Sequence, residues 1–138
     1  MSKPKNRLLL IEPDMVLAQI LTTVLVPKGY TVVHAFTAQE AIMKADLSTP
    51  DLVVLELQLV DHSGIEFLYE FRSYTDWENI PVMIYSSVPP AEFNHSREIM
   101  LNQLGVKNYL YKPDTSLVEF MRKLNSLIQR TDFHNEST

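Results

Sequence analysis

Short apolar runs alternate along this chain with longer segments whose apolar positions recur at helical spacing, the pattern of successive βα units around a parallel sheet. Five such pairs follow one another. "RLLLI" (Arg7 to Ile11) predicts a first strand, and the segment from Asp14 predicts a first helix with Leu17, Ile20, Leu21, Val24 and Leu25 as its apolar stripe, stopped by Pro27 and Gly29. "YTVVHA" is the second strand. "TAQEAIMKA" is the second helix, with Thr37 and Glu40 spaced as a capping box. "DLVVLE" is continuously apolar up to Glu56, as strands covered on both faces are, and a third helix is expected after Gly64. "IPVMIYSS" predicts a fourth strand, "AEFNHSREIMLNQLG" a fourth helix closed by Gly105, and "VKNYLY" a fifth strand. The last helix is "TSLVEFMRKLNSLIQ", whose stripe is Leu117, Phe120, Met121, Leu124 and Leu127. The polar ends, residues 1–6 and 131–138, are expected to be flexible or to form a linker, with a single domain over 7–130.

The length of 138 residues accommodates one core. No apolar run approaches the ~20 residues of a membrane span, and no signal-peptide stretch precedes the first strand. Cysteine is absent, which excludes disulfides, thiolate metal sites and thiol nucleophiles, and a cytoplasmic location is expected. A net charge of −5, without a Lys/Arg cluster, argues against direct nucleic-acid binding. The three glycines form neither a dinucleotide nor a nucleotide loop. The four histidines, His34, His62, His95 and His134, lack metal-ligand spacing.

In open parallel sheets, reactive groups gather outside the carboxyl ends of the strands. Those ends carry Glu12, Pro13 and Asp14 after strand one, Glu56 after strand three, Ser86 and Ser87 after strand four, and Lys112 and Pro113 after strand five. Each alone reads as a polar terminus where a buried strand meets water. Together, at the ends of four strands, they define one candidate site.

With those residues in that register, the chain resembles the receiver domains of two-component response regulators over about Arg7 to Gln129. Gly64 falls eight positions after Glu56, Ser86 thirty after it, and Lys112-Pro113 follows the fifth strand; Gly105 and Tyr109 match the family's glycine and aromatic switch residue. The resemblance implies a doubly wound (βα)5 flavodoxin-like sheet in order 2-1-3-4-5. It also implies a pocket of Glu12, Asp14, Glu56, Ser86 and Lys112 in which a phosphoacceptor aspartate ordinarily works with Mg²⁺. Protein partners, a histidine kinase or an output protein, would then dock on the face formed by the fourth helix, fifth strand and fifth helix, where Tyr109 and Tyr111 supply aromatic area.

Two departures change the expectation. Glu56 stands where the family has an aspartate, and Pro13 where it has the second acid of its pair. The extra methylene moves the carboxylate outward by ~1.5 Å, and a misplacement of about 1 Å costs roughly a hundredfold in an in-line transfer. Proline removes a ligand for Mg²⁺, leaving Glu12 and Glu56 as weak candidates, so little or no Mg²⁺ binding is expected. Asp14 opens a helix and is expected to cap it.

Glu56 is long enough to reach Lys112 or the Ser86 hydroxyl. In one form of this reading it ends a strand and pairs with Lys112; in the other it imitates the phosphorylated state, with Ser86 and Tyr109 reading out the charge. The predicted function is an atypical, non-enzymatic receiver that works by protein-protein contact, conventional phosphorylation having been lost. A still-phosphorylatable regulator and a small metal-dependent hydrolase using Glu12, Asp14 and Glu56 are the alternatives. The oligomeric state is left open.

Overall fold

The structure is a computed structural model that describes residues 6–136. Five strands, β1 (Arg7–Ile11), β2 (Thr31–Ala35), β3 (Leu52–Leu55), β4 (Val82–Ser86) and β5 (Val106–Tyr111), form one parallel sheet in the order 2-1-3-4-5. Five helices connect or follow them: α1 (Met15–Leu25), α2 (Ala38–Leu47), α3 (Gly64–Ser73), α4 (Arg97–Asn102) and α5 (Leu117–Glu136). The expected doubly wound α/β fold is the one observed.

Because successive side chains of a strand point to opposite faces, the sheet divides the core in two. Leu8, Leu10, Val54 and Met83 meet α1 and α5 on one side, while Leu9, Ile11, Val53, Leu55 and Ile84 meet α2, α3 and α4 on the other. That double coverage explains the unbroken apolar run of β3.

The local signals act largely as expected. Asp14 caps α1 through the Val16 and Leu17 amides, and Gly29, at φ 98°, closes the 3-10 turn that ends it. Thr37 Oγ1 accepts the Glu40 amide, and the Glu40 carboxylate takes the Phe36 amide, one residue earlier than a capping box requires.

Three expectations are corrected. The apolar stripe of α1 is rotated: Ala18, Leu21 and Leu25 are buried, whereas Ile20 faces solvent. Small Ala18 lets the helix approach the sheet, which turns Ile20 outward. The fourth helix is not continuous from Ala91; residues Pro90–Ser96 form a 3-10 stretch broken at Phe93, and regular α-helix starts only at Arg97. Asn94, His95 and Ser96 are weak helix formers, and Phe93 swings toward the Tyr109 ring, 6.4 Å away between centroids. Finally, α5 continues to Glu136, past the boundary expected at Arg130. The flexible ends expected at 1–5 and 137–138 lie outside the described residues.

Among the described residues, no helix is long and apolar enough to cross a membrane.

Candidate functional site

Strand register assembles the site. Ile11 pairs with Leu55 across β1 and β3, so the next residues, Glu12 and Glu56, emerge side by side. Leu55 pairs with Ile84, which brings Ser86 and Ser87 up beside Glu56, and Ser86 pairs with Tyr111, which delivers Lys112. The ladder continues one residue beyond the strands: the Glu12 amide donates to Ala35 O and the Glu56 amide to Ile11 O, both at 3.0 Å. Both carboxylate stems are thereby fixed, and both side chains are about 4% exposed.

At the centre lies Lys112. Its Nζ donates to Glu12 Oε1 at 2.6 Å and to Glu56 Oε1 at 2.7 Å, so two buried carboxylates share one ammonium. The ammonium also lies 5.6 Å from the Tyr85 ring centroid. Glu12 Oε2 accepts the Asp14 amide at 3.0 Å, which locks the Glu-Pro-Asp turn. His34 Nε2 lies 2.7 Å from the Glu12 carbonyl oxygen.

Glu56 makes further bonds on both oxygens. Oε2 accepts the Ser86 hydroxyl and the Gln58 amide at 3.1 Å. Oε1 accepts the Ser87 amide and the Ser87 hydroxyl, each at 3.1 Å. The Ser86 Oγ in turn accepts the Val88 amide at 3.0 Å, and the Val88 carbonyl accepts the Tyr109 hydroxyl at 2.6 Å. A relay thus runs from Glu56 through Ser86 and Val88 to Tyr109.

Burial alone pushes the Glu56 carboxyl up, but hydrogen bonds from Lys112, Ser86 and the Gln58 and Ser87 amides outweigh it and hold the group below its ordinary range. For Lys112 burial lowers the value, and the two carboxylates raise it above normal. The Tyr109 phenol is raised to about 12, first by burial and then by the Glu56 charge. Each shift favours a locked cluster of two anions and one cation.

The loop after Glu56 is held just as closely. The Gly64 amide donates to Leu57 O at 2.7 Å, and a Cβ there would lie 2.7 Å from Leu57 Cα and 3.1 Å from Glu56 O. Two of those contacts are backbone, which cannot yield cheaply. Gly64→Ala is expected to destabilise the protein by about 1–3 kcal/mol in urea denaturation, through overpacking against the strand that carries Glu56.

The donor set fits Mg²⁺ poorly. Mg²⁺ requires near-octahedral oxygen ligands, yet Lys112 already joins the two carboxylates, the remaining Glu56 bonds are donated by Ser86, Ser87 and Gln58, and Asp14 Oδ1 caps α1. Pro13 contributes no side-chain oxygen. Among the described residues no group of three or more acidic or histidine side chains is arranged to hold a metal.

The structure brings together Glu12, Glu56, Ser86 and Lys112, with Tyr109 at the end of the relay; Asp14 stands beside the cluster as a helix cap. Sequence reasoning left out Ser87 as a ligand of Glu56, although its hydroxyl was visible in "YSS". It also left out Val88, whose part is played by backbone groups that no residue-type signal reveals. Asp61 was likewise missed: it accepts the Ala38 and Gln39 amides at 3.0 Å and pins the loop after β3 to the start of α2.

An open parallel sheet carrying this acid-hydroxyl-lysine pocket at its carboxyl edge has the architecture of a signalling receiver. The response regulator receiver domain family matches residues 8–124, and the chain belongs to that family. It is 33% identical over 108 residues to the KDP operon transcriptional regulatory protein KdpE of Escherichia coli, covering 78% of this chain and 45% of that protein. It is also 33% identical over 106 residues to hybrid signal transduction histidine kinase D of Dictyostelium discoideum, covering 77% of this chain and 7% of that one. The chain therefore spans about half or less of these relatives. Among solved structures, a CheY-like receiver domain from Methanospirillum hungatei superposes with a TM-score of 0.81 at 19% identity, covering 94% and 98% of the two chains, which bears on the fold alone. The non-phosphorylated HemR receiver domain from Leptospira biflexa gives 0.76 at 29% identity, covering 91% and 94%.

Proposed function

We propose that this receiver signals without conventional aspartyl phosphorylation, with Glu56 holding the pocket in an engaged arrangement and output passing through protein-protein contact. The observation that carries this reading is the occupancy of Glu56: both its oxygens are bonded, to Lys112, Ser86, Ser87 and Gln58. A phosphoryl group would need that space and those same donors. The relay to Tyr109 supports the stronger form of the idea, in which the glutamate imitates the charged state, since it bonds both the hydroxyl and the lysine at once.

Output is assigned to the face built from α4, β5 and α5. A groove of about 370 Å³ opens there, lined by Phe93, Arg97, Met100, Leu101, Lys107 and Tyr109. Its partner is an output protein or a histidine kinase, in the cytoplasm. The module is not an enzyme and has no need of Mg²⁺.

Incubation with a small-molecule phosphodonor and Mg²⁺, followed by intact mass measurement, tests the reading. The mass is expected to stay at that of the 15.9 kDa chain. A stoichiometric gain of one phosphoryl group overturns the proposal.

A further inference from the structure

Two irregularities of the fold meet at one place. The lead-in to α4 is broken at Phe93 (φ −114°, ψ 18°), so regular helix is confined to the six residues Arg97–Asn102. Six helical residues span about 9 Å, whereas the six residues of β5 run about 20 Å, and α4 covers only part of that strand. The second irregularity lies in β5 itself. Val106 pairs with Val82 and Asn108 with Met83, consecutive residues of β4, which makes Lys107 an extra residue in the ladder, a β-bulge. As a result Val106 and Tyr109, three positions apart, both pack into the cluster on the α4 side of the sheet, which regular alternation forbids. Between α4 and β5 the groove of about 370 Å³ is left open, within the range of about 300–1,000 Å³ that small-molecule sites occupy.

The lining of this groove departs from the rest of the chain in charge. The chain carries 17 acids and 12 bases, yet the groove is lined by two bases, Arg97 on the α4 wall and Lys107 on the β5 wall, and by no acid. Glu92 and Glu98 adjoin it in sequence but lie outside the lining. Both bases are exposed, and among the described residues neither makes an ion pair or a side-chain hydrogen bond. Lys44, Lys112 and Arg122, by contrast, are each paired with a glutamate. Beneath the bases the floor is apolar: Met100 and Val106 are buried and Phe93 is half-buried. The Tyr109 ring, tethered through its hydroxyl to Val88 O, forms an aromatic wall 6.4 Å from the Phe93 ring. A cation here meets two like charges, a neutral apolar body leaves both bases unanswered, and a bare inorganic anion leaves the floor wet.

We infer that the groove between α4 and β5 binds a small amphipathic carboxylate, an aromatic or branched apolar body bearing one acid group. Arg97 offers its forked donors to the carboxylate, and Lys107 adds charge from the opposite wall. The apolar body displaces water from Phe93, Met100 and Val106, and the unbranched thioether of Met100 adapts to its shape. This goes beyond the docking role proposed for the same face and does not rest on it, since the chain alone makes the site. One consequence does rest on that role: ligand and protein partner exclude one another.

Titration with naphthalene-2-carboxylate, followed by NMR of protein carrying carbon-13 methionine methyl groups, tests the inference. The Met100 methyl is expected to shift saturably, while those of Met15 and Met43, exposed on α1 and α2, stay in place. Naphthalene-2-carboxamide, with the same rings and no charge, and sulfate, with charge and no rings, are each expected to bind about tenfold more weakly. Arg97→Gln and Lys107→Gln are each expected to raise the dissociation constant about fivefold, the upper end for an exposed ion pair. Both side chains are exposed, so an unchanged urea midpoint is expected alongside. Lys28→Gln takes the same charge from the groove between α1 and α5, where Val24 and Met121 lie, and is expected to leave binding unchanged. A Met100 signal that does not shift, equal binding of the carboxamide or of sulfate, indifference to both Arg97→Gln and Lys107→Gln, or a larger response at Met121 with sensitivity to Lys28→Gln overturns the inference.

Discussion

Replacing Lys112 by Ala is expected to lower the stability of the protein by about 3–5 kcal/mol, because it leaves two buried carboxylates facing each other without their shared cation. For a chain of this size that corresponds to a fall of roughly 10–15 °C in Tm. Glu12 Oε1 and Glu56 Oε1 both bond to the same Nζ, and among the described residues no second cation pairs with either carboxylate. The loss carries a pH signature. In the native protein Glu56 is depressed below its unfolded value, so its contribution is present above the ordinary carboxylate range of about 4.3 and is lost as pH falls through the depressed value. Lys112 is raised, so its contribution is present below about 10.4 and is lost as pH rises through its elevated value. The pocket is therefore locked throughout the neutral range. In Lys112→Ala one carboxyl is pushed above its unfolded value by its neighbour and by burial, and taking up a proton relieves the repulsion. The gap between variant and native is expected to narrow as pH is lowered from about 7 to about 4. Urea denaturation at both values measures it; a gap that widens toward acid contradicts the shared-cation account.

Glu56→Gln is expected to detach the relay while keeping the side-chain length. An amide oxygen accepts fewer of the present bonds, and the amide nitrogen cannot accept from Ser86 or Ser87 at all. Ser86 then no longer needs to hold its present rotamer, and Val88 and Tyr109 lose their fixed reference. Burial is the first cause of the raised Tyr109 value and remains, but the Glu56 charge is removed, so the phenol is expected to titrate below its present value of about 12. Tyrosine-labelled NMR across alkaline pH reads this directly. Binding of any partner at the α4–β5 groove is expected to weaken at least tenfold, the scale of a lost charge-assisted hydrogen bond. A Tyr109 environment identical in the two proteins means that no signal passes from Glu56 to that surface.

Periodicity was sufficient for the sheet and its order of elements, because burial on both faces forces continuous apolar strands and covered helices show a repeating stripe. It was poorer at boundaries. Residues 91–96 read as helix by length and composition, yet the Phe93 contact with Tyr109 and three weak helix formers break the segment. Ile20 matched the stripe of α1 and still faces water, since helical spacing gives a set of faces and only packing against the sheet selects one. The chemistry of the site was legible in its carboxylates, hydroxyl and lysine because each sits at the last residue of an apolar strand or one residue past it.

What the chain by itself determined is the set of groups that reach the carboxyl edge, including a glutamate at the end of the third strand and a proline directly after Glu12. Only the tertiary structure decided which groups Glu56 engages. Reach permitted Lys112 or Ser86, and the register of β1, β3, β4 and β5 allows both, with Ser87 and the Gln58 amide added. The reason is that length and charge are local properties, whereas hydrogen-bond saturation of a buried carboxylate depends on where four strands end relative to one another.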